Sequence, residues 1–224
     1  MTRIFLSLAL LSLAAYAANF VTGLATGEHQ AAAEALKKEY RAFHDLERSR
    51  AASKTEIKAG REKLSAAKAA FEPYRRWINF HRLLGVAAGL LVILVNSITI
   101  TYFVGTSRWV KEVVDAYRLD ENLAEESRVI KRKSFPWSVF GMLVIVAIVA
   151  LGAASDPSGW TASNAVKFVS PHYLAAIIGL IFIAFAYWMQ WTRIAENYAV
   201  IERIMGLVAE RQQALAAAKA EAGA

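Results

Sequence analysis

The sequence predicts an all-α fold: a four-helix transmembrane bundle with an extramembrane helical hairpin and a long C-terminal helix. Of its 224 residues, 56% are hydrophobic, a fraction typical of membrane proteins. Four stretches carry no charge and are long enough to cross a bilayer core, which takes about 20 helical residues. The six tryptophans lie near the ends of these stretches or between them, as expected of residues that favour the membrane–water interface.

The apolar and polar stretches divide the chain into eight predicted segments. These are a first transmembrane helix (1–26), an extracytoplasmic helical hairpin (27–80), a second transmembrane helix (81–107), a cytoplasmic amphipathic loop (108–133), a third transmembrane helix (134–155), a short extracytoplasmic loop (156–171), a fourth transmembrane helix (172–193), and a cytoplasmic heptad helix with its tail (194–224). The first helix resembles a secretory signal, because small residues flank Tyr16. Its apolar stretch runs well past that point, so we expect it to be retained.

The hairpin is predicted to turn near 49–53. Ser53 and Glu56 have the spacing of a capping box, which marks the start of the second arm. Glu72-Pro73 is expected to break that arm before the second transmembrane helix, because proline cannot continue the backbone hydrogen-bond ladder. Pro136 and Pro171 are both expected at helix starts, where proline is favoured.

Basic residues predict the orientation. Lys131-Arg132-Lys133 lies in the second loop, whereas Lys167 is the one basic residue of the third loop. Short cationic loops stay in the cytoplasm, so both termini are expected to be cytoplasmic. The net charge of +7 is taken to favour a lipid bilayer with anionic lipid as the partner, with no nucleic acid.

Polar and small residues share one face on the second and fourth transmembrane helices. His81, Gly85, Gly89 and Asn96 lie on the first of these faces, and His172, Gly179 and Gln190 lie on the second, at 100° per residue. One interpretation is helix packing, since small residues let backbones approach and amides can bond between helices. The predicted packing residues are Gly23, Gly27, Gly85, Gly89, Asn96, Gly179 and Gln190.

The alternative interpretation is a cofactor site. A b-type haem held between His81 and His172 would use neutral imidazoles as axial ligands, with glycines making room for the porphyrin. Against it, both histidines lie near the predicted membrane surface. No separate metal site and no catalytic residue is predicted.

Several function classes are disfavoured. The chain has no cysteine, which excludes disulfides, thiolate zinc sites, iron–sulfur clusters and covalently attached haem. The uncharged stretches of the four spans hold no ionisable residue of the kind that ion paths use, so a transporter or channel ranks third. These stretches are Ile4–Thr26, Leu83–Ser107, Ser134–Ser155 and Tyr173–Thr192. Phosphate-binding loops, HExxH and GxSxG motifs do not occur, which argues against an enzyme.

The C-terminal segment shows a heptad pattern. Apolar residues alternate at spacings of four and three, which predicts a seam that must be covered. Either the second loop or another chain could cover it. A homo-oligomer or a larger membrane complex would form through Ile194, Tyr198, Ile201, Met205 and Val208.

Residues 101–113, TYFVGTSRWVKEV, resemble a segment of small multi-span bacterial membrane proteins of unknown function. The resemblance implies residence in the bacterial inner membrane and carries no activity or ligand. The predicted function is therefore a non-catalytic membrane scaffold or accessory subunit, without a cofactor, that acts through its extramembrane helices. A small b-haem electron-transfer subunit is the alternative.

Overall fold

The computed structural model of the protein describes residues 1–25, 29–49, 52–156 and 164–222. Five α-helices account for nearly all of them, and these described ranges contain no strand. The helices are α1 (Thr2–Leu24), α2 (His29–Arg48), α3 (Lys54–Tyr117), α4 (Asn122–Ala154) and α5 (Ala165–Ala222). Four of them, α1, α3, α4 and α5, are long and apolar enough to cross a membrane. The predicted all-α fold with four candidate spans is confirmed.

The helices contribute to two compact units. The first unit contains Met1–Ala14, Gly89–Ala147 and Ile178–Ala224, and the second contains Ala15–Ala88 and Ile148–Ile177. The core of the first unit includes Val92, Phe103 and Ile183, each fully buried. Large apolar side chains such as Leu143 and Ile181 remain exposed in it. An exposed apolar surface of this kind suits hydrocarbon rather than water.

In the second unit, α2 and the start of α3 form the predicted hairpin. The capping box is present: Glu56 N–H donates to Ser53 Oγ at 3.2 Å, and Ser53 N–H donates to the Glu56 carboxylate at 2.7 Å. A Cβ placed on Gly60 would lie 3.1 Å from Leu46 and 3.2 Å from Phe43. The missing side chain therefore lets the two arms approach closely.

Pro73 does not end a helix, contrary to the sequence prediction. It lies inside α3, which is continuous over 64 residues. A proline removes one hydrogen bond of the ladder, yet α3 runs through this position without a break. Glu72 accepts hydrogen bonds from Arg75 at 2.8 Å and from Arg76 at 3.2 Å, which supports the turn that follows the proline.

The segment 108–133, predicted as a loop, is mostly helix. α3 continues to Tyr117 and α4 begins at Asn122, so Pro136 lies inside α4 instead of at its start. Arg118 has a φ of 50°, and Leu119 N–H donates to Val114 O at 3.0 Å. These are the features of a Schellman motif, which ends a helix within two residues. Asp120 then caps α4 by accepting from the Asn122 N–H at 2.9 Å.

The start of α5 also differs from the prediction. The helix begins at Ala165, one and a half turns before the predicted cap at Ser170, so Pro171 lies inside it. Proline is favoured in the first turn because the N–H groups there lack helical partners. Pro171 is instead the seventh residue of α5, so the helix lacks the hydrogen bond that an N–H there would donate to the Lys167 carbonyl. His172 is therefore the eighth residue of α5, about two turns from its start, and not a residue at the helix mouth.

Candidate functional site

Three buried side chains of the first unit form a closed hydrogen-bonded cluster. Gln190 Nε2 donates to Asn96 Oδ1 at 2.8 Å, and Thr99 Oγ1 donates to Gln190 Oε1 at 2.9 Å. Asn96 Nδ2 donates in turn to the Val92 carbonyl at 2.8 Å. All three side chains are at most 1% exposed. The cluster joins α3 to α5, and we refer to Asn96, Thr99 and Gln190 as the amide cluster.

Gly141 on α4 completes the environment of the amide cluster. A Cβ placed there would lie 3.0 Å from Asn96 Oδ1 and 3.1 Å from Asn96 Nδ2. The Asn96 amide therefore rests against the bare backbone of α4. Sequence reasoning identified Asn96 and Gln190 but missed Gly141, because a single glycine in an apolar helix has no periodic partner to mark it.

A second polar group in the first unit was also missed. Asn197 is fully buried; it donates to Tyr102 OH at 3.2 Å and to Thr106 Oγ1 at 3.1 Å, and it accepts from Ser127 Oγ at 2.9 Å. This arrangement links α5 to α3 and α4. Like the amide cluster, it contains neutral side chains that bond to one another across helices.

His81 lies in the second unit and packs against α1. Its Nδ1 is 3.2 Å from the Asn19 carbonyl oxygen and 3.1 Å from Thr22 Oγ1. Thr22 Oγ1 itself donates to the same Asn19 carbonyl at 2.8 Å. A Cβ placed on Gly23 would lie 2.9 Å from His81 Cε1, so only glycine leaves room for the ring.

His172 repeats this arrangement against α4. Its Nδ1 is 3.2 Å from the Ile148 carbonyl oxygen, and a Cβ placed on Gly152 would lie 3.0 Å from His172 Cε1. In both cases the carbonyl belongs to the residue four positions before the glycine. In both cases the carbonyl also belongs to the last two turns of its helix.

The shared geometry determines the tautomer of both rings. A backbone carbonyl can only accept a hydrogen bond, so Nδ1 must carry the proton in each histidine. The other ring nitrogen, Nε2, then has a free lone pair when the imidazole is neutral. We refer to His81 and His172 in this arrangement as the histidine pair.

The remaining predicted packing residues are placed as follows. A Cβ on Gly85 would lie 3.0 Å from the Asn19 side-chain amide, and Gly89 and Gly179 are both buried. Gly27 lies outside the described residues. Within the described ranges, no group of three or more His, Cys, Asp or Glu side chains could hold a metal ion.

A groove of about 460 Å³ in the first unit offers little polar chemistry. It is lined by Met1, Ser97, Ile98, Thr101, Tyr102, Gly105 and Thr106. Thr101 Oγ1 donates to Ser97 O at 2.9 Å and Thr106 Oγ1 donates to Tyr102 O at 2.8 Å. Both hydroxyl protons are thus used within α3 itself.

The inward face of α5 differs from the predicted heptad seam. Its buried side chains after Gln190 are Ile194, Asn197, Val200, Ile204 and Val208. Tyr198 and Met205, both predicted seam members, are 48% and 52% exposed. Val110 and Val114 of α3 are buried in the same unit. The inward face is therefore rotated away from the predicted seam, and it includes a polar residue that Ser127 satisfies.

Comparison with known proteins gave no relatives. No protein-family model, no curated protein and no solved structure matches this chain.

Proposed function

We propose that the protein is a multi-pass scaffold or accessory subunit of the bacterial inner membrane, without catalytic activity. The observation that carries this proposal is the length of two helices. α3 has 64 residues and α5 has 58, whereas a crossing takes about 20. Each helix therefore has enough length to project well beyond a bilayer, and the projecting parts are charged and exposed.

The character of the buried polar groups supports a structural role. The amide cluster and the Asn197 group consist of neutral side chains that bond to one another across helices and to backbone carbonyls of their own helices. Interhelical bonds of this kind hold helices in register within an apolar environment. Substrate-handling sites, by contrast, tend to hold titratable groups with perturbed pKa values.

The proposed partner surface is the exposed side of the second half of α5. Tyr198 and Met205 present large apolar side chains there, and Ile201 between them is half-buried. Ile194 and Val208, the other members of the predicted seam, are buried within the first unit and do not belong to this surface. A second copy of this chain, or another subunit of a membrane complex, would cover it with its own helix.

The proposed orientation places the hairpin outside the cell and both termini in the cytoplasm. The chain has no native cysteine, so single cysteines can report accessibility directly. Cysteine at exposed Lys54 should react with a membrane-impermeant thiol reagent in intact cells. Cysteine at exposed Glu121, in the α3–α4 turn, should react only after the cells are permeabilised. The reverse pattern would refute the orientation.

Cross-linking tests the partner surface itself. A photo-reactive residue in place of Met205 should capture a partner in membranes, either as a dimer or as a complex with another protein. The same residue in place of Glu210, which is also exposed on α5, is the matched control. Tyr198→Asp should abolish capture at Met205 while leaving membrane insertion unchanged. Equal capture at Met205 and Glu210, or no capture at either, would refute a partner on this surface.

A further inference from the structure

The histidine pair has a construction that packing alone does not require. Each imidazole donates Nδ1–H to a backbone carbonyl, at 3.2 Å in both cases. Metal-ligating histidines usually donate their second ring N–H to a carbonyl or carboxylate, which fixes the tautomer and raises the basicity of the ligating nitrogen. Both Nε2 atoms are thereby prepared to donate a lone pair.

The two histidines lie in one compact unit and are brought together by α1. Gly23 of α1 contacts His81. Three residues earlier, Phe20 packs on Tyr173, the neighbour of His172, with ring centroids 5.7 Å apart. Tyr16 OH also donates to the Ala176 carbonyl at 2.9 Å.

The number of ligands distinguishes between kinds of metal site. Zinc in proteins takes three or four side-chain ligands, and within the described residues no third His, Cys, Asp or Glu joins the pair. A haem supplies four equatorial nitrogens itself and needs at most two axial ligands from the protein. Two imidazoles without a third ligand therefore fit a metalloporphyrin better than a bare ion.

The pair also has an unpartnered acceptor beside it. The Asn19 side-chain amide packs against Gly85, one turn after His81. Next to His81, Asn19 Oδ1 is buried without a hydrogen-bond partner among the described residues. Buried acceptors are normally satisfied, so this atom offers a position for a donor group or a water that accompanies a ligand.

We propose that the histidine pair is the axial ligand set of a non-covalent, b-type haem, bound through His81 Nε2 and His172 Nε2. This goes beyond the scaffold function, because a scaffold needs no cofactor. Asn19, Thr22 and Ile148 are positioning residues: they hold the imidazoles by Nδ1 and do not touch the iron. Gly23 and Gly152 admit the rings between the helices.

The test is haemin titration of the purified full-length protein in detergent, followed by visible spectroscopy. Wild-type protein should bind one equivalent and, on reduction, give a six-coordinate low-spin spectrum with a resolved α band. His81→Ala and His172→Ala should each lose that spectrum. His44→Ala should keep it, because His44 lies on α2 and stacks on Tyr40 at 6.5 Å between ring centroids.

Two further variants separate ligation from folding. His81→Met should keep six-coordination and raise the reduction potential, since methionine–histidine ligation does so in haem proteins. Thr22→Val removes a partner of Nδ1 and should weaken haemin affinity by roughly tenfold, the lower end for a residue that orients a ligand. A purely structural role for these residues would move neither the potential nor the affinity.

Three results would overturn the proposal. One is wild-type protein that stays monodisperse and helical yet shows no change in the haemin spectrum. Another is a low-spin spectrum that survives in both alanine variants. The third is a His81→Met protein with the wild-type potential. None of these results bears on cross-linking at Met205, so the scaffold function and the haem site can fail separately.

Discussion

The amide cluster of the first unit and the histidine pair of the second unit both place polar side chains among apolar helices, but they satisfy them differently. Asn96, Thr99 and Gln190 bond to one another across two helices, Asn96 and Thr99 also bond to carbonyls of their own helix, and all three are almost completely buried. His81 and His172 bond to backbone carbonyls and are only partly buried. A closed network can fix packing and little else. The histidine pair retains two lone pairs and can therefore also bind a ligand.

The largest expected effect comes from filling the space beside the amide cluster. Gly141→Leu would force a side chain into the position of the Asn96 amide, 3.0 Å from its oxygen. Overpacking of this kind costs about 1–3 kcal/mol, and it would also break the bond to Gln190. We expect a clear fall in the thermal stability of the detergent-solubilised protein.

The matched control for Gly141→Leu is Gly105→Leu. Gly105 is exposed, and a Cβ there would meet no atom within 4 Å. Its substitution should leave thermal stability unchanged. If Gly141→Leu and Gly105→Leu have the same melting temperature, α4 does not pack on Asn96 as described.

Removing one member of the amide cluster should have a smaller effect. Gln190→Leu leaves the buried Asn96 Oδ1 without its donor, which costs about 1–2 kcal/mol, whereas the Thr99 hydroxyl can still donate to the Val95 carbonyl at 3.0 Å. Asn96→Leu should cost a similar amount, and the double variant should cost less than the sum, because the two residues share a bond.

Gln212→Leu is the control for the amide cluster. Gln212 also bonds across helices, to Tyr117 OH at 3.0 Å, but in an exposed position. Water can replace that bond, so little stability should be lost. Additive effects of Asn96→Leu and Gln190→Leu in thermal unfolding would argue against a closed network.

Two glycine-to-alanine substitutions compare a crowded position beside the histidine pair with an open position on α5. Gly206→Ala lies at an exposed position of α5 with no atom within 4 Å of the added Cβ, and it should gain about 1 kcal/mol from helix propensity. Gly152→Ala would place its Cβ 3.0 Å from His172. We expect it to gain less stability and to weaken haemin binding. Equal gains, with unchanged haemin affinity, would show that the His172 ring does not rest on Gly152.

The smallest expected effect is at the capping box. Its two residues bond to each other, as the members of the amide cluster do, but they are exposed to water. Hydrogen bonds from the Ser53 backbone N–H and then from its hydroxyl lower the pKa of Glu56. A lowered pKa means that the carboxylate stabilises the hairpin at pH values above the ordinary glutamate range. This contribution is lost as the pH falls through the lowered pKa.

Hydrogen exchange of the first amides of α3 can detect this pH dependence. Protection should decrease as the medium is acidified, and Glu56→Gln should remove the pH dependence. Glu62→Gln, an exposed substitution on the same helix, should keep it. If the protection of these amides in the wild-type protein did not depend on pH, the capping contribution would be refuted.

Much of the fold could be predicted from local patterns. Uncharged stretches predicted the four candidate spans, and the Ser53–Glu56 spacing predicted the start of α3. The inward faces of α3 and of the first half of α5 followed from helical periodicity, since Gly89 and Asn96 of α3 and Gly179 and Gln190 of α5 are all buried. These features depend on residues within a few turns of one another, so the sequence alone contains the information.

The features that could not be predicted depend on distant residues or on irregular backbone. Asn197 is polar, so its burial follows only from its partner Ser127 on another helix. Arg118 ends α3 in a left-handed conformation, which is uncommon for any residue but glycine and asparagine. Residues on two adjacent faces of a helix recur at the same spacings of three and four, so the spacing alone did not show which face is buried. The predicted seam through Tyr198 and Met205 therefore differs from the buried face.

The most direct measurement of the contrast between the two sites is thermal unfolding with and without haemin, in three proteins. A ligand that binds the folded state raises its stability by about 2.7 kcal/mol at 100 times the dissociation constant. Haemin should therefore raise the melting temperature of the wild-type protein. It should raise that of Gln190→Leu by a similar increment, although this variant melts at a lower temperature without haemin. It should leave His81→Ala unchanged. An equal increment in His81→Ala, or an increment lost in Gln190→Leu while its helix content persists, would contradict the division between a structural cluster and a ligand-binding pair.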